Sequence, residues 1–192
     1  MSATRWSEKC LPFCSFAIAQ GRGVGYAGPM IGHPADIKDV EPGPVVELFL
    51  EDIETGGVCE AGPITVTAEE IVSFAERYDP LPMHVSDAGG EASVHESLIA
   101  SGVLTMALKQ RLIMSVQRNS AIIGAARLEH LNFLKPVRAG DDLTLRQECV
   151  GKRNSKSRLD RGLIVWEFEL SNQAGEKVLT SRDIIMIRRR PA

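Results

Sequence analysis

The stretch Tyr78-Asp79-Pro80-Leu81-Pro82-Met83-His84 lies between two helical patterns, and the rest of the sequence is organised around it. Pro80 and Pro82 fix their own φ angles and disfavour helix at the residues before them. The sequence therefore predicts a stiff, extended loop. That loop carries a carboxylate at Asp79 and an imidazole at His84, five residues apart. A rigid loop with these two groups suits acid–base chemistry on a single bound molecule.

The segments on either side of this loop have helical patterns. The first pattern follows Thr67, a residue suited to capping a helix N-terminus, and Glu69 and Glu70 lie in its first turn. The second covers 98–116 and is the longest in the chain, with apolar residues through several turns and small residues at its start. A mostly apolar helix is buried on more than one side, so we expect this one to be the central helix of the fold.

Strand-like runs separated by turn residues follow the long helix. They are 122–134, 142–150, 163–171 and 178–187, and shorter runs at 45–50 and 64–67 precede it. Their lengths suit an antiparallel sheet. No alternation of strand, helix and strand indicates a parallel one. The predicted fold class is therefore α+β, with an antiparallel sheet wrapped around a long central helix.

The length and charge of the chain limit its domain count and its partners. With 192 residues, we expect one domain over 45–192 and an irregular, Gly- and Pro-rich N-terminal arm over 1–44. A net charge of −3 argues against a nucleic-acid partner. Basic residues nevertheless cluster at 152–161 and 188–190. They are either solvated strand ends or a contact for the phosphates of a nucleotide-tailed substrate.

Cysteine usage and hydropathy indicate the compartment. Of the four cysteines, only Cys10 and Cys14 are close in sequence, while Cys59 and Cys149 stand alone. This spacing predicts neither a zinc site nor a disulfide framework, which fits a reducing compartment. No apolar run is long enough to span a bilayer. We therefore expect a cytoplasmic protein with no membrane partner, no metal and no cofactor.

The spacing Asp-x-x-Pro-x-His at 79–84 resembles that of the MaoC-like hydratase/dehydratase family. That family includes the (R)-specific enoyl-CoA hydratases and has the hotdog fold. The resemblance runs from about residue 64 to 188, and several further stretches agree in order. These are 99–102, 133–141, 161–162 and 172–175. Two positions differ from the usual pattern: Leu81 stands where Asn is usual, and Ser86 stands where Asp is common.

The resemblance implies that the protein adds water reversibly to an α,β-unsaturated acyl thioester. His84 would be the base that activates water, since an imidazole exchanges protons near neutral pH. Asp79 would be the partner acid, and the backbone N–H of Gly102 would stabilise the oxyanion at the helix start. The residues expected to contact substrate are Leu81, Met83 and Ser101. A homodimer is also implied, because hotdog domains of this family usually pair edge to edge.

Other interpretations fit the same residues. In a purely structural interpretation, Asp79 caps a turn before Pro80, and His84 is a core histidine whose ring nitrogens have hydrogen-bond partners. Two other functions share the expected fold: an acyl-CoA thioesterase, and a non-catalytic subunit that binds acyl thioesters. The substrate's carrier is likewise open, since both a CoA thioester and a carrier-protein thioester fit.

Overall fold

The computed structural model describes residues 48–117 and 120–191. The predicted arm over 1–44 and the start of the domain at 45 lie outside the described residues and stay predictions. The strands are β1 (Val58–Thr65), β2 (Ile122–Phe133), β3 (Asp142–Asn154), β4 (Arg161–Ser171) and β5 (Lys177–Arg188). The helices are α1 (Ala68–Tyr78), α2 (Pro82–Val85), α3 (Asp87–Glu91) and α4 (Gly102–Gln117), and a 3₁₀ turn spans Leu50–Asp52.

The five strands form one antiparallel sheet in the order β1-β3-β4-β5-β2. Along β3 and β4 nearly every second residue is buried, as expected for strands with one face against the core. That face packs on α4, whose buried leucines Leu104, Leu108 and Leu112 join the same core cluster as Leu145 and Phe168. The sheet and helix confirm the predicted α+β class.

Two local predictions were wrong. The segment after Asp79 is not wholly extended, because Pro82 opens the single helical turn of α2. Proline at the first helical position has its φ already set for helix and loses no hydrogen bond there. The long helix begins at Gly102 rather than at residue 98. The preceding residues are extended instead, with Ile99 forming a β-bridge with Arg138.

The two edges of the sheet differ. β1 is short, and its pairing with β3 shifts register around Pro63, which has no N–H to offer another strand. β2 is longer and mostly exposed along its length. The outer side of α4 is also uncovered at Val103 and Met114. The single chain therefore buries this helix on one side only, and the expected burial on more than one side was wrong for the single chain. No helix within 48–117 or 120–191 is both long and apolar enough to cross a membrane.

Candidate active site at the start of the long helix

Asp79 lies where α1 ends, and its backbone rather than its side chain closes the helix. Its N–H donates to the carbonyl of Ala75 at 2.9 Å, and its own carbonyl accepts from the N–H of Leu81 at 2.8 Å. The nearest cationic or imidazole nitrogen to its carboxylate, within the described residues, is Nε2 of His84. The Asp79 side chain is 31% exposed. The carboxylate is therefore available to a bound molecule instead of being consumed as a cap.

His84 is held by a main-chain acceptor. Its side chain is 6% exposed, and its Nδ1 lies 2.8 Å from the carbonyl oxygen of Ile99. A carbonyl only accepts hydrogen bonds, so Nδ1 carries the proton in the neutral ring and Nε2 is left with its lone pair. The N–H of Ile99 in turn donates to the carbonyl of Met83 at 3.2 Å. These two contacts tie the loop to the segment that enters α4.

Nε2 of His84 and Oδ2 of Asp79 are 4.0 Å apart. This separation is too long for a hydrogen bond between them. It leaves both atoms free to contact one small group, such as a water molecule or a substrate hydroxyl. The pair can therefore exchange protons with that group from two directions.

The start of α4 supplies hydrogen-bond donors. The hydroxyl of Ser101 accepts from the N–H of Leu104 at 3.1 Å, which caps the helix. By helix geometry, the N–H groups of Gly102 and Val103 have no acceptor within the helix. The position of Gly102 also suits a small residue, because a Cβ there would lie 3.1 Å from Cζ of Phe133. A glycine lets the end of β2 pack against the helix start.

The three residues expected to contact substrate differ in exposure, and their assignment stays a prediction. Leu81 is 47% exposed, Met83 is half-buried, and Ser101 is fully buried with its hydroxyl used for the cap. The backbone carbonyl of Met83 and the imidazole of His84 both bond to the backbone of Ile99, so Met83 lies beside the candidate site. Of the three, Leu81 is the side chain most open to a ligand.

The chain as a whole is also similar to known proteins. The family model described as "MaoC like domain" matches residues 53–163, more than half of the chain. The chain belongs to the MaoC-like domain family.

Several solved structures have the same fold. A MaoC-like dehydratase from Rhodospirillum rubrum is 35% identical, with a TM-score of 0.70, and the match covers 76% of this chain and 99% of that one. The unliganded R-hydratase PhaJ1 from Pseudomonas aeruginosa is 25% identical, with a TM-score of 0.59, and coverage of 74% and 87%. A Mycobacterium tuberculosis protein with a double hotdog fold is 18% identical, with a TM-score of 0.62, and coverage of 74% and 44%. The hotdog fold is confirmed.

This MaoC-like domain holds a second ionisable pair, with both members buried, that the sequence reasoning missed. Lys109 of α4 donates to Asp183 Oδ2 at 2.8 Å and to the hydroxyl of Ser181 at 2.9 Å, and its Nζ lies 4.8 Å from the centre of the Phe168 ring. Ser181 also donates to Asp183 at 2.8 Å. A lysine within a largely apolar helical face was the signal in the sequence, because a buried lysine needs a partner.

Other reactive groups lie apart from the site. Cys59 and Cys149 are buried and not in disulfides, and burial raises the pKa of the Cys149 thiol, which disfavours the nucleophilic thiolate. The described residues of this MaoC-like domain contain no group of three or more side chains placed to hold a metal ion. The expectation that no cofactor is needed stays a prediction.

Proposed function

We propose that this protein is a hydratase/dehydratase that adds water reversibly to the double bond of an α,β-unsaturated acyl thioester, as the enoyl-CoA hydratases do. One observation carries the proposal: His84 Nε2 and Asp79 Oδ2 lie 4.0 Å apart, and the bond from His84 Nδ1 to the carbonyl of Ile99 orients the imidazole. The similarity of this chain to the R. rubrum dehydratase and the P. aeruginosa R-hydratase supports the same reaction class.

Each group has one role in the proposed reaction. In hydration, Nε2 of His84 takes a proton from water while the water oxygen bonds to the β-carbon. The electron pair of the double bond moves to the thioester oxygen, where the N–H of Gly102 stabilises the negative charge. The α-carbon takes a proton from the Asp79 carboxyl. Return of a proton from His84 to Asp79 completes the cycle.

A homodimer is part of this proposal. The edge strand β2 exposes apolar side chains, and α4 does so beside it. These are Ile122, Ile123, Leu128 and Phe133 on β2 and Val103 and Met114 on α4. An uncovered edge of this kind is a template for pairing with another strand. A second copy pairing through β2 would cover both surfaces with one two-fold axis. A monomeric mass by light scattering at micromolar protein would contradict the dimer.

Crotonyl-CoA tests the proposed reaction against the two other functions. Hydration removes the absorbance of the conjugated enoyl thioester and releases no thiol. A thioesterase would release free thiol, and a binding subunit would do neither. Loss of the enoyl absorbance without thiol release is the expected result. A cytoplasmic location stays a prediction.

A further inference from the structure

The charges of this domain are segregated. Residues 68–96, which carry Asp79 and His84, contain seven carboxylates and one guanidinium. Residues 152–161, which form the tip of the β3–β4 hairpin, contain five cations and one carboxylate. A polyphosphate would be repelled by the first segment and attracted by the second. The site's own segment is therefore poorly suited to hold the phosphates of a nucleotide-tailed thioester.

Most cations of the described residues already have an acidic partner. The exposed pairs include Arg127–Glu129, Lys135–Glu176, Arg146–Glu148, Lys177–Glu169 and Arg182–Glu167. A group that we name the basic-end cations comprises Arg153, Lys156, Arg158 and Arg188. Their side chains are exposed and, within 48–117 and 120–191, make no ion pair or hydrogen bond, although the nearby charge of Arg158 adds to the hydrogen bond from Arg161 in lowering the pKa of the Asp160 carboxyl. Arg77 is the one other described cation in this condition.

The basic-end cations lie at one end of the sheet, since Arg153 pairs with Leu163 and Arg188 with Arg161. The candidate site lies at the other end, where Phe133 packs against Gly102. The two ends are separated by the ten residue-to-residue steps along β4, which is about 33 Å at about 3.3 Å per step. The arm of CoA has about thirteen bonds between sulfur and the first phosphorus, which is roughly 16 Å when extended. The first phosphorus of a thioester bound at the site therefore falls about 17 Å short of the basic end of its own chain.

A second copy changes this geometry. A two-fold axis through the middle of β2 brings the start of β2 from one copy beside the end of β2 from the other. Along that end of the joined sheet, β5 of the partner follows after two strand spacings and its β3–β4 hairpin after three to four. At about 4.8 Å per spacing, the partner's Arg188 lies about 10 Å from the site, and the hairpin cations of the partner lie about 14–19 Å away. The arm of roughly 16 Å, together with the length of an arginine or lysine side chain, spans these distances.

We propose that the basic-end cations bind the phosphates of the CoA moiety, and that they serve the site of the partner subunit rather than their own. The inference rests on the proposed function and on its homodimer. Guanidinium and ammonium groups without acidic partners are free to form charge-assisted hydrogen bonds with phosphate oxygens. The reacting groups and the phosphate-binding residues would then belong to different chains of one dimer.

Two substrates and two variants test the phosphate contact. The test variant is Arg153→Gln/Lys156→Gln/Arg158→Gln. The matched control, Arg77→Gln/Arg111→Gln/Lys177→Gln, removes the same number of exposed charges elsewhere. The substrates are crotonyl-CoA and crotonyl-pantetheine, which shares the arm but has no phosphate. We expect the test variant to raise KM for crotonyl-CoA about tenfold, from three exposed contacts of modest strength, and to leave crotonyl-pantetheine unchanged. The control should change neither.

Several outcomes would overturn the proposal. They are equal effects on both substrates, a dissociated dimer in the test variant, and an effect confined to a crotonyl thioester of an acidic carrier protein. Calorimetric titration with free CoA separates this proposal from the proposed reaction. If the wild type hydrates neither thioester but binds CoA and the test variant does not, the reaction is wrong and the phosphate site stands.

Mixed dimers test which chain supplies the phosphate-binding cations to a given site. One subunit carries the three Gln substitutions with an intact site, and the other carries Asp79→Asn with intact cations. The only working site then faces the intact cations of its partner, so we expect KM for crotonyl-CoA to return to the wild-type value. A KM that stays about tenfold raised would show that the cations serve their own chain, which overturns the assignment to the partner.

Discussion

Two ionisable pairs of this domain each include a buried basic side chain, and they differ in how fully their atoms are used. Lys109 and Asp183 are in contact at 2.8 Å, and Ser181 and the Phe168 ring complete their surroundings. Asp79 and His84 stand 4.0 Å apart, with only the Nδ1 side of the imidazole bonded. A fully used pair stabilises a fold, whereas a pair with free atoms can act on a third molecule. His84 and Lys109 are both buried, so burial of the basic group alone does not distinguish these roles.

Asp79 and His84 form the open pair, which has free atoms, and breaking it should produce the largest effect. We expect His84→Ala and Asp79→Asn each to lower the rate of enoyl thioester hydration by about 10²–10⁴-fold, since each removes a positioned proton-transfer group. Asp79→Asn is the cleaner change because it keeps the shape of the side chain. The free energy of unfolding should change little for Asp79→Asn. Initial rates and urea melts measure the two quantities.

The double variant sharpens this test. Because both groups would act on one water molecule, His84→Ala/Asp79→Asn should be little worse than the worse single variant. Near wild-type rates in both single variants would show that the site assignment is wrong.

Lys109 and Asp183 form the closed pair, in which the charged atoms are already bonded. Breaking it should lower the stability of the fold and leave the activity nearly unchanged. Lys109→Met leaves Asp183 buried without its cation, and we expect a loss of about 3–5 kcal/mol in the free energy of unfolding. Hydration per folded molecule should stay close to wild type. The control is Lys109→Met/Asp183→Leu, which removes both charges and should recover most of the lost stability. A large fall in turnover with an unchanged melt would instead place Lys109 in the reaction.

The start of α4 allows a matched pair at one residue. Gly102→Pro removes the N–H, and proline is well tolerated at the first position of a helix. We expect the hydration rate to fall about 10²–10³-fold, the usual loss for one oxyanion donor. Gly102→Ala keeps the N–H and places a Cβ 3.1 Å from the half-exposed Phe133 ring, which can move aside. Equal rates in the two variants would remove Gly102 as the donor.

The smallest effect is expected at Leu81, beside the open pair. Its side chain is about half exposed, so Leu81→Asn should change the free energy of unfolding by no more than about 0.5 kcal/mol. We expect hydration to persist with at most a changed preference among acyl groups. Rates on short and long enoyl thioesters measure this preference, and abolished turnover of all of them would contradict it.

The sequence predicted the elements better than the contacts between them. Periodicity placed the four long strands and the helix that follows Thr67, whose side chain accepts from Glu70 N–H as expected of a cap. Patterns of this kind depend on neighbouring residues. The carbonyl of Ile99 that orients His84, and the Asp183 that pairs with Lys109, come from distant segments, and no local pattern announces them. The helical turn at Pro82 was missed because proline both ends and begins helices.

The acceptor that orients His84 belongs to the main chain, and this affects how the site responds to mutation. Every amino acid at position 99 supplies a carbonyl oxygen, so no single codon change there deletes the bond to Nδ1. Proline would remove the N–H that donates to Met83, but it would keep the carbonyl. A saturation library at position 99 should therefore retain activity wherever the variant folds, whereas one at position 84 should not. The orientation of this imidazole therefore depends on the path of the backbone and not on the identity of any one side chain.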